Sequence, residues 1–299
     1  MRIAVTGASG YLGRNYISMY KDACDFVALT RDAAKAEKIK GIEYRECDYS
    51  TESLREALAG CDAVVHLAYA MATKDNEAAG LQAYDSSMAV TENVFRAALD
   101  LGITNMVFAS SRLVYPSRSD EPFGEDGPLQ PGTWYGKSKV MMEELAEELN
   151  ASGARIKVLR FGQIIGANMK VKGMFHIFME KAQSNEPLTL IGSDVRDYIH
   201  VKDACRAIAA AVDHPEESGI FNISMGCGTD NRAMAEGIIS ATGSSSEITV
   251  KETDGKKLPD RIVLDTRRAE ELLSFSCEYD TINRIAKDVL KDREKQGQQ

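Results

Sequence analysis

The chain has 299 residues, 44% of them hydrophobic, enough to bury one large core or two smaller ones. Its formal charge of -9 argues against nucleic acid or an acidic membrane as partner, since neither attracts a net anion, whereas an anionic small molecule needs only a local arginine. The 6 cysteines include no Cys-x-x-Cys pair and the 4 histidines no ligand spacing, so neither disulfides nor a metal is expected and a reduced, cytoplasmic setting is.

The first stretch, Ile3-Ala4-Val5, runs into Gly7, Gly10 and Gly13 and then into Arg14-Asn15-Tyr16-Ile17, which can continue a helix. Strand, glycine turn and helix N-terminus together predict a dinucleotide site. Glycine permits the tight turn and a close approach to a pyrophosphate, and the free N–H groups of the helix face the phosphates. The spacing is Gly-x-x-Gly-x-x-Gly rather than Gly-x-Gly-x-x-Gly, so the usual pattern fits loosely. Starting at Met1, the chain leaves no room for a leader before this strand, and no apolar run approaches membrane-spanning length.

Further strands are predicted at Phe26–Leu29, Ile42–Glu46, Ala63–Leu67 and Met106–Ala109, with helices at about Thr51–Leu58 and Leu81–Leu101 between them. This alternation gives right-handed βαβ units and a doubly wound parallel α/β sheet of Rossmann type. The polar stretch Arg112–Trp134 is long enough to be a functional loop. A helix at about Tyr135–Asn150 and a strand at Ile156–Arg160 follow. Beyond Phe161 the rhythm changes, with helices expected at Met174–Ser184, Val201–Val212, Asn231–Ala241, Thr266–Leu273 and Tyr279–Lys291, and a polar, disordered tail from Glu294. The expected division is a dinucleotide-binding domain over 1–162 and a smaller mixed α/β substrate domain over 163–299, with about 191–223 returning to the first.

Tyr135 and Lys139 stand four apart and share a helix face. A neighbouring ammonium favours the phenolate, which is how a tyrosine becomes an acid/base group near neutral pH. Ser110-Ser111 closes the fifth strand at its carboxyl end, where ligands bind in open α/β sheets. A hydroxyl there can bond the oxygen that Tyr135 deprotonates.

Several motifs then occur in one order: Thr6-Gly7-Ala8-Ser9-Gly10-Tyr11-Leu12-Gly13, His66-Leu67-Ala68, Ser110-Ser111-Arg112-Leu113-Val114-Tyr115, Tyr135-x-x-x-Lys139, Leu159-Arg160-Phe161-Gly162 and Val195-Arg196-Asp197-Tyr198-Ile199-His200. Together they resemble the extended short-chain dehydrogenase/reductases of the nucleotide-sugar epimerase/dehydratase family, over almost the whole chain. The resemblance implies an enzyme that moves a hydride between a nicotinamide cofactor and C4 of a nucleotide-linked hexose. It makes Ser111, Tyr135 and Lys139 catalytic. Cofactor contacts would come from Gly7, Gly10, Tyr11, Leu12, Gly13, Arg14, Arg31, Asp48, Tyr49, Leu67 and Ala68, with Asp48 and Tyr49 by the adenine. Arg196 would meet the substrate diphosphate and Gln163 the sugar or nucleotide. A homodimer through the helices at 81–101 and 135–150 is also implied.

The departures carry information. Arg112 and Leu113 stand where sugar dehydratases carry acids, which disfavours dehydration; Ser86-Ser87 stand where asparagine is frequent, and Gln163 replaces an asparagine. Arg31 follows the second strand where NAD enzymes place an acidic residue, and Arg14 follows the glycine turn, so NADP is favoured over NAD. The leading expectation is a 4-epimerase; an NADPH-dependent reductase of 4-keto-6-deoxysugars is the alternative, and a dinucleotide-binding protein without turnover the third.

Overall fold

The structure, a computed structural model, describes residues 1–34, 36–70, 76–251 and 258–297. Its first half alternates strands with helices: β1 (Arg2–Thr6), α1 (Tyr11–Tyr20), β2 (Asp25–Thr30), β3 (Glu43–Glu46), α2 (Thr51–Leu58), β4 (Ala63–His66), α3 (Glu77–Asp100), β5 (Asn105–Ser111), α4 (Trp134–Ala151) and β6 (Arg155–Phe161). The second half contributes β7 (Gln163–Ile165), α5 (Met174–Gln183), β8 (Leu188–Ile191), β9 (Val195–His200), α6 (Val201–Asp213), β10 (Gly219–Ile223), β11 (Gly228–Asp230), α7 (Asn231–Thr242), β12 (Ile248–Lys251), β13 (Arg261–Ile262), α8 (Arg267–Leu273) and α9 (Ile282–Gly297).

One seven-stranded sheet dominates, in the order β10-β6-β5-β4-β1-β2-β3, with every neighbouring pair parallel. Both of its faces are covered, and the alternation along each strand shows it. Ile3, Val5, Phe26, Val107, Leu159 and Phe221 meet Tyr16 and Ile17 of α1, and Ala204 and Ile208 of α6, on one side. Ala4, Val27, Leu29, Val64, Met106 and Val158 meet Leu54 of α2, Val94 and Phe95 of α3, and Met142 of α4 on the other. Two-sided burial explains why these strands read as nearly continuous apolar runs. Strand order reverses between β1 and β4, so a crevice opens at their carboxyl ends, the place where open α/β sheets bind ligands.

A separate core joins α5, α7 and α9 with β8, through Phe175, Met179, Leu188, Met234, Ile238, Ile285 and Val289. Beside it, β9 pairs with β7, β11 and β13. The sequence did not announce the short strands β7, β11 and β13. Two or three residues carry no periodicity, and only their partners make them strands.

Several boundaries differ from expectation. Helix α3 starts at Glu77, because Asn76 caps it by accepting from the Ala79 N–H at 2.9 Å. Helix α9 continues to Gly297, where a disordered tail from Glu294 was expected; residues 298–299 lie outside the described residues. The loop after β5 begins with a 3₁₀ turn, Arg112–Val114, and is then tied down by Ser119 N–H to Arg261 O at 3.1 Å and Phe123 N–H to Val263 O at 2.8 Å. Its backbone donors are satisfied by a second segment distant in sequence, which polarity alone does not reveal.

Candidate active site

The crevice at the strand-order reversal is a cleft of about 510 Å³. Gly7, Gly10, Arg31, Asp48, Tyr49, Leu67 and Ala68 line it, joined by Ser9, Thr30, Asp32, Tyr69, Ala70, Ser86, Ser87 and Val90. The turn can be made only by glycine. Gly7 has φ +68 and a Cβ there would lie 2.8 Å from the Ala68 nitrogen, while a Cβ on Gly13 would lie 2.4 Å from the Gly7 oxygen. Helix α1 follows its N-cap Gly10 with no side-chain cap and no acidic residue in its first turn, so its first N–H groups remain available to an anion. The opposite wall is held by Thr6, whose Oγ1 accepts from the Leu67 and Ala68 N–H groups at 3.2 Å each and bonds His66 Nδ1 at 2.7 Å. A dinucleotide pyrophosphate fits this turn.

Tyr11, Leu12 and Arg14, also expected around a cofactor, lie on α1 and are not among the residues that line the cleft, while Asp48 and Tyr49 are fixed in its lining by the backbone around them. Tyr11 donates to the Ala167 carbonyl at 2.8 Å and ties the turn to the segment after β7. Leu12 packs on the core under α1. Arg14 is engaged by Glu37, through its carboxylate at 2.8 Å and its carbonyl at 3.0 Å. Asp48 accepts from the Ser50 N–H at 2.8 Å, and Tyr49 holds a left-handed conformation, φ 67, with its carbonyl bonded by Asn93 at 3.0 Å.

Ser111, Tyr135 and Lys139 come together where β5 ends and α4 begins. Thr133 caps α4 by accepting from the Gly136 N–H at 3.0 Å, which fixes the turn carrying Tyr135. Ser111 Oγ accepts from the Leu113 N–H at 3.2 Å and also bonds the Tyr135 phenol. Lys139 Nζ donates to the Ala109 carbonyl at 2.7 Å and lies 5.6 Å from the centre of the Tyr135 ring. Burial pushes the Tyr135 phenol up to about 12, with the Ser111 hydrogen bond working against it. Burial also pulls the Lys139 ammonium down to about 7, opposed by the Glu143 charge. The expected lowering of Tyr135 by Lys139 is therefore not what governs the free protein; desolvation outweighs it.

Tyr69 was missed by sequence reasoning. Its ring meets Tyr135 edge-on at 4.8 Å, its hydroxyl lies 3.1 Å from Ser138 Oγ, and Lys139 Nζ sits 4.9 Å from its centre. Glu143 was missed as well, although it stands four residues beyond Lys139 on the same helix face. Its carboxylate accepts from Ser110 Oγ and from Arg160, at 3.1 Å to Nε and 2.6 Å to Nη2, in a pair 1% and 2% exposed. Arg160 continues to the Tyr115 hydroxyl and the Glu125 carbonyl, both at 2.8 Å, and Tyr115 donates to Asn222 Oδ1 at 2.8 Å. This chain of bonds fastens the end of β5, α4 and the long loop to β10.

On the far side of Ser111, Arg112 Nη2 donates to Gln163 Oε1 at 3.4 Å. Gln163 pairs in register with Tyr198 of β9, and Arg196, two residues before it, bonds the Tyr198 hydroxyl and pairs with Asp194 at 2.6 Å.

A family model described as the NAD dependent epimerase/dehydratase family matches residues 3–224. Among curated proteins, the UDP-glucose 4-epimerase of Azospirillum brasilense is 26% identical, over 97% of this chain and 91% of its own length. The dTDP-4-dehydro-6-deoxyglucose reductase of Escherichia coli is 26% identical over 75% of this chain and 76% of its own. Among solved structures, the UDP-N-acetylglucosamine 4-epimerase of Bacillus cereus superposes with a TM-score of 0.84 at 31% identity, covering 98% of this chain and 96% of that one. The fold is shared also with the Thermus thermophilus UDP-glucose 4-epimerase solved with NAD, at a TM-score of 0.80 and 22% identity over 97% of this chain and 99% of that one. Because the family match runs from β1 to the end of the outermost sheet strand β10, the chain belongs to the NAD-dependent epimerase/dehydratase family.

Proposed function

We propose that this protein is a nucleotide-sugar 4-epimerase, acting on a UDP-linked hexose. The observation that carries the reading is the meeting of Ser111, Tyr135 and Lys139 at the edge of a dinucleotide cleft. A bound nicotinamide dinucleotide supplies the hydride acceptor and donor. The side chains handle the proton and the position. Ser111 holds the C4 oxygen of the sugar beside Tyr135, which takes the O4 proton as C4 is oxidised and returns it once the 4-keto sugar has turned its other face. With its phenol at about 12, Tyr135 is protonated in the free protein, the form that donates to a ketone oxygen. Its use as a base calls for positive charge at the site, which the Lys139 ammonium supplies when protonated. Arg196 would hold the diphosphate with its planar fork.

Arg31 in the cleft wall beside Asp32 favours NADP as the cofactor, since a guanidinium can clasp a 2′-phosphate. The same residue supports a second reading, a 4-ketosugar reductase that consumes NADPH. Helices α3 and α4 pack together and present Leu81 and Met141 to solvent, 42% and 41% exposed, which supports a homodimer through this pair. No helix among the described residues is long and apolar enough to cross a membrane.

The test supplies each C4 epimer of a UDP-hexose alone, with NAD or with NADP, and follows the sugar by NMR beside the nicotinamide absorbance. Interconversion with no net change in absorbance is expected, faster with NADP. Stoichiometric NADPH oxidation on a 4-keto-6-deoxy nucleotide sugar, without interconversion of stable epimers, selects the reductase instead.

A further inference from the structure

Arg112 has no task in the mechanism above, yet it directly follows in the chain the serine at the centre of it. Most of its side chain is covered, and among the described residues it makes no ion pair. Its hydrogen-bond partner is the neutral amide of Gln163, at 3.4 Å. The charges of Asp260 and Asp197 reach Arg112 and favour its charged form, but neither carboxylate forms an ion pair with it among the described residues. Asp194 binds Arg196 at 2.6 Å and the Asp260 N–H at 3.0 Å, and Asp197 Oδ2 accepts from Ser224 at 2.8 Å and the Leu264 N–H at 3.0 Å. A second cation, Arg196, lies close enough to act on it: burial first, then the Arg196 charge, hold the Arg112 guanidinium below its ordinary value. With Asp194 balancing Arg196, Arg112 is the one of these two guanidiniums that has no ion pair among the described residues.

The two arginines face different parts of a nucleotide sugar. Arg196 lies on β9, already balanced in part by Asp194, and is the one proposed for the diphosphate. Arg112 starts the turn whose preceding residue, Ser111, bonds Tyr135, so it flanks the sugar near its reacting carbon. A neutral hexose offers hydroxyls there, which Gln163 alone can serve. A planar carboxylate on the sugar would replace the long Arg112–Gln163 bond by a charge-assisted fork.

We propose that Arg112 reads a carboxylate on the sugar, so that the enzyme takes a nucleotide-linked hexuronate in preference to the corresponding neutral hexose. This rests on the nucleotide-sugar reading given above. The probes are UDP-glucuronate, UDP-glucose and UDP, titrated calorimetrically into the cofactor-loaded protein, with wild type beside Arg112→Met and Arg112→Lys. Wild type is expected to bind UDP-glucuronate more tightly than UDP-glucose. Arg112→Met should lower that ratio by about ten- to hundredfold, the scale of a lost charge-assisted bond, and Arg112→Lys should restore part of it. UDP affinity should stay nearly constant. A wild type that prefers UDP-glucose, or that shows no preference, overturns the proposal without needing any variant. Equal loss of all three ligands in Arg112→Met also overturns it and moves Arg112 to the diphosphate. Absence of binding by UDP and both sugars is the distinct outcome in which the nucleotide-sugar reading itself fails.

Discussion

Tyr135 illustrates how one side chain is set by opposing effects. Its spacing to Lys139 was legible in the sequence, and the structure adds the Ser111 bond, the Tyr69 ring and a burial deep enough to keep the phenol protonated. Tyr135→Phe is expected to lower turnover by about 10²-fold or more, the range of a lost general acid/base, while dinucleotide affinity and the thermal midpoint barely move. Ser111→Ala should cost less, because the phenol can still reach the C4 oxygen. Near-full turnover by Tyr135→Phe would remove it from the proton path. Tyr69 and Glu143 went unread for different reasons: Tyr69 has no spacing that marks it, and the i, i+4 spacing of Glu143 to Lys139 does not reveal its buried partner Arg160.

At the scale of elements, α4 holds the end of β5 by two side chains, and β6 holds α4 in turn. Lys139 of α4 bonds the Ala109 carbonyl, Glu143 of the same helix bonds Ser110, and Arg160 of β6 bonds Glu143. A buried pair of this kind is costly to break because the surviving charge has no water to turn to. Arg160→Met is therefore expected to destabilise the protein by about 3–5 kcal/mol in chemical denaturation. The double substitution Arg160→Met with Glu143→Leu should recover much of that loss, since neither partner is then stranded, with Lys139 losing the support of the Glu143 charge. A double variant as unstable as the single one would show that packing, rather than the stranded carboxylate, sets the cost. The sequence placed β5, α4 and β6 in order but could not show that this pair joins them.

For the whole molecule, buried titratable groups make stability depend on pH. Burial first, with the Lys139 charge adding, holds His66 down at about 3, and burial, opposed by Asp288, holds His200 at about 4. Stability from these depressed histidines is present above 6.5 and is lost as pH falls toward the folded values. Burial raises Asp197 to about 7, so its contribution has the opposite sign, present below 3.8 and lost as pH rises through about 7. Between pH 6 and 5, as rough bounds on that window, the unfolded chain holds about two histidine protons that the folded chain lacks, and the folded chain holds one on Asp197 that the unfolded chain lacks. The net is one proton, lessened by Asp203, which burial also raises. Acidification there should thus lower stability by about 1.4 kcal/mol per pH unit, and Asp197→Asn should steepen the loss by about the same amount. Denaturation midpoints that rise on acidification would contradict this assignment.

The sequence by itself determined the doubly wound sheet, the glycine turn and the Ser111, Tyr135 and Lys139 positions, because each depends on local periodicity or on residues close in the chain. A strand buried on both faces must be apolar throughout, and a turn as tight as that at Gly7 admits no Cβ, so those constraints are written into adjacent letters. Tertiary structure alone decided what distance in the chain conceals. It paired Glu143 with Arg160, gave Arg14 to Glu37, set Tyr69 against Tyr135, and brought Arg112 beside Gln163 and within reach of the Arg196 charge. It also made burial, rather than Lys139, the main influence on Tyr135 in the free protein. Proximity of Lys139 to Tyr135 is a matter of helix spacing, but the desolvation that governs both groups comes from every element packed around them.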